Sequence, residues 1–124
     1  DVHTVLEPVK HLSLRTGFHI ASGTSLHGYE IHMGKTDGPD CTRPLLKLDD
    51  TGEGATNQGA RVSGCYLHGI FASDAFRAAY LATLDAKSSV VFEDQVEQAL
   101  DALAAHIEAY FDLDALLEAA AEVK

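Results

Sequence analysis

The chain has 124 residues and 46% hydrophobic content, which is enough for one domain with a packed core and too apolar for a disordered tail. Nineteen acidic against nine basic residues give a formal net charge of -10. That sign disfavours phosphate-mediated nucleic-acid binding and docking on an anionic membrane surface. No apolar run approaches the ~20 residues of a membrane span, and Asp1-Val2-His3-Thr4 has neither the basic nor the apolar segment of a signal peptide. Cys41 and Cys65 show no CxxC pairing or metal-ligand spacing, so two free thiols in a reducing cytoplasm are expected. A start without methionine reads as a fragment or a processed product.

The first half reads as strands and turns. Thr4-Val5-Leu6 is a short apolar run that meets Pro8, and His11 to Ile20 mixes apolar and polar residues around Gly17. From Thr24 to Thr36, Tyr29, Ile31 and Met33 alternate with Glu30 and His32, the period-2 signature of a strand. Thr36 to Asp40 is turn chemistry, Pro44 to Leu48 a short strand, and Asp49 to Gly59 an exposed loop rich in Gly, Asp, Thr and Asn. A strand is predicted from about Arg61 through Val62-Ser63-Gly64-Cys65-Tyr66-Leu67-His68, ending at Gly69.

The second half reads as helical. Ser73 caps a helix from Asp74 to about Leu84. Ser88 to Phe92 is a connector. Val96, Leu100, Leu103, Ile107 and Phe111 then recur every three or four residues, predicting an amphipathic helix from Glu93 to about Tyr110. Asp112 caps a last short helix, Leu113 to about Ala121. Strands first and helices after suit an α+β domain, or the back half of a larger α/β domain.

The chemistry-bearing candidate is His68, at the end of a predicted strand where the chain turns toward a helix. Sheet rims are where α/β proteins place reactive side chains, and a histidine, with an unperturbed pKa of ~6.5, suits proton transfer near neutral pH. A histidine that only hydrogen-bonds a loop is the commoner case, and the local sequence favours it. The seven histidines form no H-x-x-x-H pair and join no cysteine cluster, which argues against a metal site. Cys65 lies three residues before His68. On one strand that odd offset points the two side chains to opposite faces, so Cys65 reads as a small buried apolar residue rather than a nucleophile. Cys41 lacks the glycine-flanked setting of a nucleophile elbow. Gly52-Glu53-Gly54 lacks the lysine and hydroxyl of a phosphate loop and reads as flexible.

Three segments together point further. Gly28-Tyr29-Glu30-Ile31-His32-Met33-Gly34-Lys35-Thr36 resembles a strand of the cobyric acid synthases. Gly64-Cys65-Tyr66-Leu67-His68-Gly69-Ile70-Phe71 resembles their histidine motif, with Phe76-Arg77 following. Ala99 to Ala104 and Asp112 to Leu117 are similar to their closing helices, and Asp1 to Leu6 to the segment before these motifs. The resemblance covers nearly the whole chain and rests on the order and spacing of the motifs.

It implies a glutamine-dependent amidotransferase of cobalamin biosynthesis. The family amidates side-chain carboxylates of a cobyrinic acid a,c-diamide, with ATP and Mg at an N-terminal synthetase domain and ammonia from a C-terminal glutaminase domain. The fold implied is that of class I glutamine amidotransferases, a flavodoxin-like three-layer domain, here its mostly antiparallel or mixed strands followed by C-terminal helices. Residues 1–124 would then be the C-terminal portion of that domain, and His68 takes the position of the catalytic histidine. Class I glutaminases mostly continue their histidine motif as H-P-E, where the glutamate orients the imidazole. Here Ile70 stands in that place, as in the family resembled, and something else must orient the ring. Glu30, His32 and Tyr66 are candidates to line the same rim as His68, although His32 reads first as a strand anchor. The nucleophile cysteine and the synthetase domain lie upstream of the segment that Asp1 resembles. The expected partners are therefore that missing half, glutamine and a corrinoid reached through it, and a second copy of the chain, but neither nucleic acid nor membrane. No cofactor is expected in this chain, and alone it should be inactive. The rival readings are a non-catalytic fragment that binds itself or a partner, and a glutaminase-like subunit for another carboxylate substrate. The Gly28–Gly34 strand favours the first assignment.

Overall fold

The computed structural model describes residues 1–120, as two units, Asp1–Ser89 and the helical segment from Val90 onward. In the first unit, β1 (His3–His19) and β2 (Ser25–Asp37) form a long antiparallel hairpin. A 3-10 turn, Pro39–Thr42, leads to β3 (Leu46–Leu48) and β4 (Thr51–Glu53). Next come β5 (Ala55–Thr56), β6 (Ser63–Gly64), β7 (Leu67–His68), the 3-10 turn Ile70–Ala72 and helix α1 (Asp74–Ala82). The main sheet runs β4-β3-β1-β2-β7, and β5 and β6 pair separately. Every strand pair is antiparallel. An antiparallel sheet followed by helices matches the strands-then-helices order of the sequence.

The apolar run that meets Pro8 lies within β1, which continues through the proline, and the pairing with β2 shifts register between Leu6 and His11. Proline has no N–H for the ladder, so an irregularity at this point is its ordinary place in a strand. Two local expectations are corrected. The stretch 49–59 is not simply a loop, because β4 folds back on β3 with Leu46 opposite Glu53. The predicted strand from Arg61 breaks into β6 and β7, which pair with different neighbours, β5 and β2.

The core of this unit lies between one sheet face and α1. Leu26, Leu46, Leu48, Leu67 and Phe76 are buried there, with Leu45, Cys65 and Ile70 packed against them. Ser73 fixes the helix in two ways. Its Oγ accepts from Phe76 N at 3.3 Å, as a cap, and donates to the Ser25 carbonyl of β2 at 3.0 Å. Phe76 is thereby set edge-on to His19, whose burial lowers the imidazole's proton affinity.

In the second unit, α2 spans Phe92–Tyr110 and α3 spans Leu113–Ala119. Asp112 caps α3 by accepting from Ala115 N at 3.0 Å. The predicted end of that last helix, at Ala121, lies outside the described residues. Among the described residues, no helix is long and apolar enough to cross a membrane.

Candidate functional site

Residues directly opposite in an antiparallel ladder share a face of the sheet. The β1–β2 register sets Leu12 opposite Ile31 and Leu14 opposite Tyr29, and the β2–β7 register sets Tyr29 opposite His68. His68 therefore stands on the face that carries Leu12, Leu14, Tyr29, Ile31 and Met33. That face is open: Leu12 is 63%, Leu14 65% and Tyr29 56% exposed. His68 is exposed too, at the last position of β7. Gly69 follows with φ of 88°, a left-handed conformation that turns the chain sharply out of the strand. The histidine thus sits at the corner where strand becomes turn, with a free ring among the described residues.

Glu30, His32 and Tyr66 do not join it. Glu30 and His32 occupy the opposite face, where they are 17% and 20% exposed. The alternation expected for this strand is present, but its polar side is the enclosed one. Glu30 bonds Arg15 Nη1 at 2.7 Å, and Arg15 Nε also reaches Asp49 at 2.6 Å. His32 donates from Nδ1 to the Gly34 carbonyl at 2.7 Å, which leaves Nε2 toward Glu30 at 3.6 Å. Its ring stacks between His11 and Tyr66, with centroids at 5.1 and 4.8 Å. Thr36 links the Tyr66 hydroxyl, and Thr4 links Thr36. Thr4, Glu30, His32, Thr36 and Tyr66 line a cleft of about 920 Å³, and His68 is not in its lining. Period 2 had put Glu30 and His32 on one face. Only the ladder register shows that His68 takes the other.

Glu53 is the residue that sequence reasoning missed. It projects from β4, whose partner strand carries the fully buried Leu46 and Leu48. Its Oε1 accepts from the Tyr66 amide at 2.8 Å, and its Oε2 is buried without a partner. Burial pushes this carboxyl above the usual carboxylate range, and Glu30 adds to the rise. The Tyr66 amide, His32 and Arg15 oppose it. The only signal in the sequence was Gly52-Glu53-Gly54, which reads as a flexible loop. A carboxyl whose proton is held more tightly in the folded state favours folding at low pH. That contribution fades as pH rises from the unfolded value through the folded one. Glu53→Gln should therefore gain melting temperature relative to the parent chain as pH is raised from about 4 to 7. A difference that is constant across that range would contradict the assignment.

Neither cysteine is arranged as a nucleophile. Cys65 is half-buried against the core, its thiol bonds the Leu67 carbonyl, and burial pushes its pKa up, opposite to activation. Cys41 lies in the 3-10 turn after β2, and both thiols are free. Among the described residues no group of three His, Cys, Asp or Glu side chains could hold a metal. The Gly52-Glu53-Gly54 segment is strand up to Glu53, not a loop opening a helix, so it offers no cradle for the phosphates of ATP.

The site is thus an exposed imidazole on a sheet rim, followed by a left-handed glycine and a capped helix. The chain belongs to the CobB/CobQ-like glutamine amidotransferase domain family, whose model matches residues 1–76. It is 52% identical over 118 residues to the cobyric acid synthase of Cereibacter sphaeroides, which covers 94% of this chain and 24% of that protein. The cobyric acid synthase of Jannaschia sp. is 49% identical over 118 residues, covering 95% of this chain and 24% of the relative. That of Bradyrhizobium diazoefficiens is 48% identical over 121 residues, covering 97% and 25%. The chain spans about a quarter of the length of these curated relatives and matches their C-terminal region. No solved structure matches it.

Proposed function

We propose that this chain supplies the histidine half of a glutaminase site, in an enzyme that amidates carboxylates of cobyrinic acid a,c-diamide during cobalamin biosynthesis. The observation that carries the reading is the position of His68, at the rim of an open apolar sheet face. Two kinds of support meet there: the family to which the chain belongs and the relatives named cobyric acid synthase.

In this reading the segment bearing the nucleophile cysteine packs on Leu12, Leu14, Tyr29, Ile31 and Met33 and completes a three-layer, class I-like domain. Apolar area removed from water there stabilises the joint. The cysteine arrives beside His68 at the edge of the buried patch. Its thiolate attacks the carbonyl carbon of the glutamine side-chain amide. The His68 imidazole takes the thiol proton and returns it to the leaving nitrogen, which departs as ammonia. Water then hydrolyses the thioester to glutamate. ATP and Mg²⁺ serve carboxylate activation elsewhere in the enzyme.

The test is reconstitution. The preceding region of the parent protein, supplied as a fusion or in trans, should give glutamine-dependent ammonia release that neither part has alone. An associated, folded complex without ammonia release overturns the proposal. The same open face favours self-association when that segment is missing. The isolated chain is expected to sediment as a dimer or larger at high concentration, and a monomer would show that the face is tolerated in water.

A further inference from the structure

The Cys65–His68 segment is held from both sides at Tyr66. The Tyr66 carbonyl accepts from the Ile31 amide of β2 at 3.1 Å, and the Tyr66 amide donates to Glu53 Oε1 at 2.8 Å. Glu53 itself is rigidly founded. Its carbonyl accepts from Leu45 N at 3.0 Å, and its ladder partner Leu46 is fully buried. Leu67, between Tyr66 and His68, is buried in the same core. The histidine is thus placed by its backbone. The position two residues after it, which holds a ring-orienting glutamate in H-P-E motifs, is Ile70, packed against the core.

We infer that Glu53 is the positioning residue for His68, clamping the Tyr66 amide and so fixing the strand that ends at the imidazole. The inference rests on the glutaminase reading of His68. What the clamp requires is an oxygen acceptor at the end of a two-methylene arm, not a charge. The buried Oε2 has no partner, so a single carboxyl oxygen makes the clamp. Displacing a catalytic group by about 1 Å can cost on the order of 100-fold in rate. A clamp two residues away acts with less leverage, so a loss of about tenfold is expected.

The experiment uses the full-length parent enzyme for activity and this 124-residue chain for amide exchange. Glu53→Gln keeps the acceptor, whereas Glu53→Leu keeps the bulk without it. Glu53→Asp withdraws the acceptor by one methylene and serves if the leucine variant fails to fold. The expected result is a kcat for glutamine hydrolysis about tenfold lower in Glu53→Leu or Glu53→Asp, with KM within about twofold, and rescue in Glu53→Gln. The Tyr66 amide should exchange faster in the first two variants and at the parental rate in the third. Two outcomes overturn the inference: kcat unchanged while the Tyr66 amide is released, or a Gln variant as impaired as the Leu variant. His68→Ala in the same enzyme separates the two claims. If it leaves ammonia release intact, the reading of His68 has failed, whereas Tyr66 exchange reports on the clamp in either case.

Discussion

Replacing His68 with alanine in the reconstituted glutaminase should lower ammonia release by about 100- to 10,000-fold, the usual worth of a positioned acid–base group. The loss should appear in kcat, because the imidazole is needed when the thiol proton moves and again when the nitrogen leaves. The isolated chain should keep its stability to within about 0.5 kcal/mol, since the side chain is exposed and its ring bonds nothing among the described residues. Thermal melting of the chain and an ammonia assay of the complex check both halves. Activity that survives the substitution would remove His68 from the mechanism, and one that falls together with the melting temperature would make it structural.

The second large effect is expected at Gly28. A Cβ built there would lie 2.1 Å from the His68 carbonyl oxygen and 3.2 Å from Leu67 Cγ. The obstacle is backbone, which cannot rotate aside as a side chain does. Gly28→Ala must therefore push β7 away from β2, with loss of the Tyr29–His68 and Glu30–Leu67 pairings. Overpacking of this kind costs at least about 2 kcal/mol, and here it also moves the His68 corner. We expect a lower melting temperature, and glutaminase activity reduced more than the folded fraction accounts for. An alanine variant with parental activity would show that β7 is not held as closely as the ladder implies. The first glycine of the Gly28-Tyr29-Glu30-Ile31-His32-Met33-Gly34 motif is thus explained by the approach of the histidine strand.

The two effects belong to one design. His68 has no carboxylate following it in the sequence, and its placement depends on backbone held by β2 on one side and by Glu53 on the other. A strand end fixed in this way presents its side chain to the open face while Leu67 anchors in the core below. The cleft on the far side, with Glu30, His32 and Tyr66, supports the strand from behind through the Arg15 pair and the stacked rings. His68 is not in its lining. Tyr66 shares a motif with His68, whereas Glu30 and His32 belong to a separate one; all three are candidates to line its rim, with His32 read first as a strand anchor, and the ladder register puts Glu30 and His32 on the other face.

The helix caps, the long helix and the central strand were legible in the sequence. Ser73 and Asp112 act as caps because a short side-chain oxygen can reach the free amides of the first helical turn. The three-to-four spacing of Val96, Leu100, Leu103 and Ile107 can be satisfied only by a helix, and α2 follows it. The Tyr29-to-Met33 alternation likewise fixes a strand, and Gly69 permits the left-handed exit. The sequence by itself could not say which side of that strand is inside. Alternation gives two faces but no register, and a shift of one residue exchanges them. The tertiary structure decided this through long-range pairing. β7 lies on β2 with His68 opposite Tyr29, the chain passes through Pro8 with a register shift, and β4 folds back so that Glu53 meets Tyr66. Those contacts join separate strands, and the alternation within one strand does not report the register of its partner.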